Sequence, residues 1–413
     1  MMKIIQDLWH KRRDIVSDGF DESLNYLSKI FPMKIHEITC GSTCWTWKVP
    51  QKWSVKEAWI KGSNGDILLD LKDHPLHVVG SSLPIDKKVN KEELFKHLHS
   101  NQKQPNAIPW VFKYYDRDWG FCIEHEKLKN FVDDNYHVYI DSEDTGGSLK
   151  VGEITIPGES DEIIFLVAHL CHPAQVNDDL TGVAVLMDVI QALSKKKNYY
   201  TYKAVIVPET IGSIAYLSQN EDLISKARYG IFFEMLGNDN NHVLQYSRQG
   251  NTKLDRIAEY VIQRREDDFR SGPYGEVVGN DEGVFNGPGI NIPMISISRW
   301  PYPEYHTSKD NLSIVTEDRL EESKRIFLEI LDILDTDYIP RRTFKGPVFL
   351  SGHGLWVPKE VNRPLNHNIS KIMYRLEGEM SVFDIADELH MDFGVVLEYV
   401  NKFFEKGFIT RIK

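Results

Sequence analysis

Two histidines and two aspartates crowd the segment IIFLVAHLCHPAQVNDDLTG, with His169 and His172 at the end of an apolar run and Asp178 and Asp179 in the loop after it. Neutral imidazole and carboxylate are the ligands of a hydrolytic zinc site, and α/β enzymes place their chemistry at the carboxyl ends of parallel strands. A strand-end histidine on its own is often only a hydrogen-bonded structural residue. Here, however, VIVPE ends in Glu209, IFFEML holds Glu234, and the run after IPMISIS reaches Tyr305-His306-Thr307. Imidazoles and carboxylates delivered to one sheet edge by several strands suit metal-assisted hydrolysis. Zinc lowers the pKa of bound water to about 7, and a nearby Glu can shuttle its proton to a leaving amine.

The elements that must position these residues are legible from about Tyr136. YHVYIDS, SLKVGEITIPG and EIIFLVAHL read as strands, and GVAVLMDVIQAL as a helix with apolar residues at helical spacing. YKAVIVPE, YGIFFEML and IPMISIS read as further strands, separated by helices around Ser213–Ser218 and Leu254–Arg265 and closed by one over Glu317–Asp335. Strands alternating with helices predict a mixed, mostly parallel sheet flanked by helices, an α/β fold. The first 35 or so residues carry two helical patterns, IIQDLWHKRRDIV and ESLNYLSKIF. From about Lys34 to Ile123 short apolar runs alternate with turns, and NGD between two such runs signals a hairpin. The last 45 or so residues, after a Pro- and Gly-bearing bridge, have the order of a winged helix. The expected division is therefore a catalytic domain of residues 1–36 and 124–345, an inserted β-rich domain of 37–123, and a winged helix of 346–413.

Composition narrows the partners. With 413 residues the chain exceeds the roughly 100–200 of one domain, and 41% hydrophobic residues supply ample core. A formal net charge of −12 argues against a general polyanion-binding role. In the tail FGVVLEYVNKFFEKG has few basic residues, which favours docking or dimerisation over DNA contact. The start lacks the apolar core of a signal peptide and no run reaches the roughly 18 apolar residues of a membrane span, so a soluble cytoplasmic protein is expected. Four scattered cysteines, Cys40, Cys44, Cys122 and Cys171, form no disulfide framework.

Five motifs in order, AHLCH, NDDLTG, PETIGS, FEMLG and YHTSKDN, resemble those of the zinc aminopeptidase superfamily of phosphorylase/hydrolase-like fold, which includes the glutaminyl cyclases. More narrowly, SLKVGEITIPGES, CHPAQVNDDLTG, PEYHTSKDNL, VVGSSLPID and the tail look like a group of bacterial aminopeptidase-like proteins with an inserted β domain and a winged helix. That group is associated with surface-polysaccharide biosynthesis genes.

The resemblance implies roles for particular residues. Asp178 corresponds to a carboxylate bridging two metals, and Asp178-Asp179 to a dipeptide often cis in the superfamily. His169 or His172 corresponds to the strand-end ligand, with register favouring the first and the CHP motif the second. Glu234 stands for the Asp that completes the first metal, and His306 for the last ligand of the second. Glu209 matches the general base of a Glu-Glu pair whose second member, a ligand, is Thr210 here; Cys171 likewise stands where an Asp is expected. A one-metal set of Asp178, Glu209 and His306, as in glutaminyl cyclases, is thus an alternative to two zinc ions. Asp281 and Asp310 are candidates to orient imidazoles, and Arg299, Tyr302 and Tyr305 to contact substrate or a developing oxyanion. The leading expectation is a zinc-dependent amide hydrolase of aminopeptidase type acting on a peptide or an amide-bearing sugar or small molecule. A cyclase-like acyltransferase or a non-catalytic metal-binding scaffold, with a possible homo-oligomer, are the other readings.

Overall fold

The computed structural model describes residues 1–413. Met1–Asp255 with Glu266–Arg325 forms one compact unit, and Arg256–Arg265 with Ile326–Lys413 a second. The first unit is built on an eight-stranded sheet. In chain order its strands are β1 (Lys34–Thr39), β2 (Ser148–Ile156), β3 (Ile163–His169), β4 (Thr201–Val207), β5 (Ala227–Phe233), β6 (Val243–Gln245), β7 (Arg270–Gly272) and β8 (Met294–Ser298). Across the sheet they run β1-β2-β4-β3-β5-β8-β6-β7. The central four, β4-β3-β5-β8, are mutually parallel, whereas β1, β2 and β6 join antiparallel. The α/β class and mixed, mostly parallel sheet expected from the sequence are those observed.

Every residue of β3 is buried, which is why IIFLVAH shows no polar alternation: a central parallel strand is covered on both faces. Register pairs His169 with Val207, so Glu209 leaves β4 just beyond the histidine. The same register brings Phe232 of β5 beside Val167, placing Glu234 one residue past that strand end. Strand alignment thus gathers the carboxyl ends along one edge.

The loop after β3 feeds the helix Gly182–Leu193, which is buried along most of its length. Its first residue has to be glycine, because a Cβ at Gly182 would lie 2.4 Å from the Asp179 carboxylate oxygens and from the Phe233 carbonyl. Gly182→Ala is expected to cost about 1–3 kcal/mol by overpacking. A denaturant midpoint unchanged from the parent would contradict that close approach.

A four-stranded antiparallel sheet, in the order 67–70, 52–61, 135–145, 85–90, forms the accessory layer of the same unit. The NGD turn joins its first two strands. Its strand Asn135–Thr145 comes from beyond residue 123, and β1, which includes residues 37–39, pairs with the main sheet instead. Burial explains the difference: Tyr136, Val138 and Ile140 alternate into a core with Trp53, Ala58 and Ile60.

In the second unit the helices Arg363–Met373, Val382–Glu388 and Phe393–Glu405 are followed by strand Ile409–Ile412, which pairs antiparallel with Ile339–Arg342. A capping box at Ser381 and Asp384 starts the middle helix, and Asp392 caps the last. No helix in the chain is long and apolar enough to cross a membrane.

Candidate active site

Asp178 is the centre of the site, and its two oxygens face different partners. Oδ1 lies 3.1 Å from His169 Nε2. Oδ2 lies 3.1 Å from His306 Nε2 and 3.7 Å from His172 Nε2, and His172 Nε2 is in turn 3.5 Å from Glu209 Oε2. His169, His172 and Asp178 are fully buried, while the His306 and Glu209 side chains each keep 29% exposure, so the site opens on that side. Both histidines of the sequence motif therefore reach Asp178, on opposite oxygens.

These separations test a metal's fit. Ligands about 2.0–2.2 Å from a tetrahedral zinc lie about 3.3–3.6 Å from one another, close to the spacings around Oδ2. The buried Nε2 atoms of His169 and His306 approach opposite oxygens of the carboxylate and have no hydrogen bond, which suits nitrogens that could each meet an ion on its own side. His172, Asp178 and His306 present ligand atoms within 4.8 Å of one another, and so do His169, Cys171 and His172. Two imidazoles and a carboxylate suit zinc.

The backbone around this cluster is held by carboxylates that the sequence suggested would orient imidazoles. Asp310 touches no imidazole of the site. Its Oδ1 accepts from the amides of Val176 (3.1 Å) and Asn177 (2.6 Å), and its Oδ2 from the amide of Asp178 (3.1 Å) and the Tyr302 hydroxyl (2.7 Å). Asp281 accepts from the Thr210 amide at 2.9 Å and from the Ser213 hydroxyl, fixing the turn that carries Glu209. Asp179 Oδ1 accepts from the amides of Gly182 (3.0 Å) and Met235 (2.9 Å), and the Asp178–Asp179 peptide is cis. These loops leave the sheet where no strand partner can satisfy their amides, so buried carboxylates take that role.

Two further expectations are corrected. The Arg299 guanidinium does not face substrate: it is buried and donates to the carbonyls of Leu236, Asn240 and Arg319 and to Glu322. Tyr302 is buried with its hydroxyl committed to Asp310. Glu234, expected at the first metal, accepts from Asn280 Nδ2 at 2.6 Å and Ser296 Oγ at 3.2 Å. Tyr305 does lie at the site, stacked on the His306 ring with centroids 3.7 Å apart.

With this geometry in place, the chain can be set beside known proteins. A family described as a domain of unknown function, DUF4910, matches residues 2–337. The chain belongs to the DUF4910 family. It is 34% identical, over 81% of its length and 77% of the relative's, to a Clostridium acetobutylicum protein provisionally named as a polysaccharide biosynthesis protein with an aminopeptidase-like domain. A crystal structure from the same organism, provisionally described as a peptidase, matches at TM-score 0.91 and 30% identity, covering 99% of this chain and 95% of that one. A zinc aminopeptidase of Bacillus subtilis matches at TM-score 0.60 and 12% identity, covering 79% and 92%, a likeness of fold.

Electrostatics in this DUF4910 chain follow from burial and the Asp178 charge. Burial would raise the Asp178 pKa, but the surrounding imidazoles win and hold it well below the usual carboxylate range. Burial lowers His172 well below its ordinary value, whereas at His169 the adjacent carboxylate outweighs burial and raises it. Glu209 is pushed up by burial. The Cys171 thiol, pushed up to about 11 by burial, sits 3.2 Å from His172 Nδ1 and accepts from the Glu209 amide at 3.1 Å.

Other contributors carry no local sequence signal. The buried Arg13 donates to the carbonyls of Leu170 (2.9 Å), His172 (2.8 Å) and Gln175 (2.9 Å), clamping the turn in which His172 adopts φ of 93°. Trp110, from the accessory layer, packs 4.0 Å from the His172 ring and 4.6 Å from that of His306. Its amide donates to the His306 carbonyl at 2.8 Å, the Ser308 amide donates to the Ile108 carbonyl at 2.8 Å, and Pro109 bridges Thr307 antiparallel. A DUF4910 sequence read in isolation marks Arg13 and Trp110 as ordinary polar and aromatic residues, because the contacts that define them are far apart along the chain.

Proposed function

We propose that the chain is a metal-dependent amide hydrolase of aminopeptidase type, with one zinc ion held by His172, Asp178 and His306 and with Glu209 as general base. The observation that carries this reading is the Asp178 carboxylate, whose Oδ2 faces His306 at 3.1 Å and His172 at 3.7 Å with Glu209 beside them. In this reading His172 takes the ligand role that Thr210 leaves open, and Glu209 is free to act as base. On the Oδ1 side His169 stands at 3.1 Å, and Glu234 accepts from Asn280 and Ser296. The fold shared with zinc aminopeptidases and the aminopeptidase-like name of the Clostridium relative support the same class.

Zinc at this position would supply Lewis acidity, polarising the scissile carbonyl and acidifying water. Glu209 takes the proton from the attacking water and hands it to the departing amine nitrogen. The Tyr305 ring stacks on one face of His306 and Trp110 packs against it at a near-right angle, holding the imidazole in one orientation. Arg13 and Asp310 hold the two turns that carry His172 and Asp178. The helical C-terminal unit, whose helix order supports a winged helix, we assign to docking, since Asp392 and Glu398 have the wrong sign for phosphate.

Metal analysis tests the reading. Purified protein is expected to bind about one zinc per chain. His172→Ala and His306→Ala should each lose it while keeping native circular dichroism. Two tightly bound ions, or zinc retained in His172→Ala, would contradict the ligand set.

A further inference from the structure

Beside the metal-ligand cluster the chain holds a cleft of about 500 Å³, within the range of small-molecule sites, and Glu209 and Thr210 form part of its wall. The opposite wall comes from two segments of the accessory region. Phe112 and Tyr114, two residues apart on one extended stretch, stack with centroids 4.6 Å apart, continuing the line from Trp110 at 4.8 Å. Trp47 meets Tyr115 edge-on at 6.1 Å. An aromatic path thus leads from the imidazoles, past the base, into the cleft.

Two properties identify what the cleft takes. Its rings are left open: Trp47 is 40%, Phe112 41% and Tyr115 55% exposed, unlike the enclosed slot that an apolar amino-acid side chain would fill. Its lining is mostly apolar, with Lys113, Asp116 and Thr210 set among the aromatics. The Tyr114 hydroxyl is buried and has no hydrogen-bond partner, although the group ordinarily finds one. Flat aromatic faces ringed by hydrogen-bonding groups match a pyranose, whose axial C–H face is apolar and whose edge carries hydroxyls.

We propose that this cleft binds the sugar ring of an N-acyl amino sugar, placing the acylamino group at Glu209. The proposal rests on the hydrolase reading for its reaction, not for its binding. In that reaction the water oxygen bonds to the acyl carbon, the C–N bond breaks, and Glu209 carries the water proton to the amine. A carboxylate and a free amino sugar leave. Trp47 and Tyr115 contact the ring face, and Tyr114 donates to a substrate oxygen.

Saturation-transfer NMR with N-acetylglucosamine, and with N-acetylphenylalaninamide as the peptide-like probe, separates the outcomes. Saturation should reach the pyranose C–H protons in the parent and equally in Glu209→Gln, which binds without turnover. In Trp47→Ala and Tyr115→Ala, both exposed positions, it should fall about ten-fold with circular dichroism unchanged. Absence of any sugar signal would overturn the proposal. So would a phenylalanyl probe whose binding those variants remove while the sugar's is untouched. Amide hydrolysis of a peptide without sugar binding would sink this inference and leave the hydrolase reading standing. Sugar binding that the two variants abolish, with no hydrolysis of any amide by zinc-loaded protein, would do the reverse.

Discussion

Glu209→Gln is expected to lower amide hydrolysis about 10²–10⁴-fold, the usual worth of a positioned general base, while zinc content stays at the parent level. Glutamine keeps the shape and can still accept a hydrogen bond, but cannot take up a proton. The side chain is partly exposed, and its turn is held by backbone contacts: its amide donates to Cys171 Sγ, and the following amide to Asp281. The substitution should therefore leave stability near that of the parent. Activity and metal measured on one preparation make the test decisive. Loss of zinc would show Glu209 to be a ligand, as in the one-metal set of Asp178, Glu209 and His306, and full activity would remove it from the chemistry altogether.

The largest stability effect is expected at Asp310. Its carboxylate is fully buried, accepts from three consecutive backbone amides and from Tyr302, and has its pKa pushed up to about 7 by burial, with the nearby Asp178 charge adding to the shift. Asp310→Ala strands those amides in a dry site. At about 1–3 kcal/mol for each buried group left unsatisfied, the loss should be about 3 kcal/mol or more. Asp310→Asn keeps one acceptor oxygen and turns an NH₂ toward the Asp178 amide and the Tyr302 hydroxyl. It should cost less, and still weaken zinc by about 10–100-fold, because the Asp178 carboxylate would no longer be aimed. Denaturant midpoints and competitive zinc titration measure the two effects. Equal stability of parent and Asp310→Ala would mean that the loop does not depend on this carboxylate.

Much of this arrangement was readable beforehand. The apolar runs of β3, β4, β5 and β8 announced buried parallel strands, and residues just past them carry Glu209, Glu234 and His306. What could not be read was direction. His169 and His172 are three residues apart, yet a turn with positive φ at His172, clamped by Arg13, sends them to opposite oxygens of one carboxylate. Arg299 and Tyr302 lie in the same short loop as His306, but a guanidinium that finds backbone carbonyls and a hydroxyl that finds Asp310 turn away from substrate. Asn280 and Ser296 take up the Glu234 carboxylate, and nothing near Glu234 in sequence forecasts them. The part of Trp110 in the site depends on a pairing between segments about 200 residues apart, and local periodicity carries no record of it.

That distant pairing has a consequence for how the site can change. The loop of His306 is stitched to residues 108–110 by backbone hydrogen bonds, so that segment sets the position of the imidazole before any ion arrives. The entropy of fixing that loop is spent during folding, and ion capture need not meet it again. It also makes the two regions a single inherited unit. An insertion or deletion near Pro109 would move His306, about 200 residues away, so loop length there should be as constrained as the identity of the histidine itself.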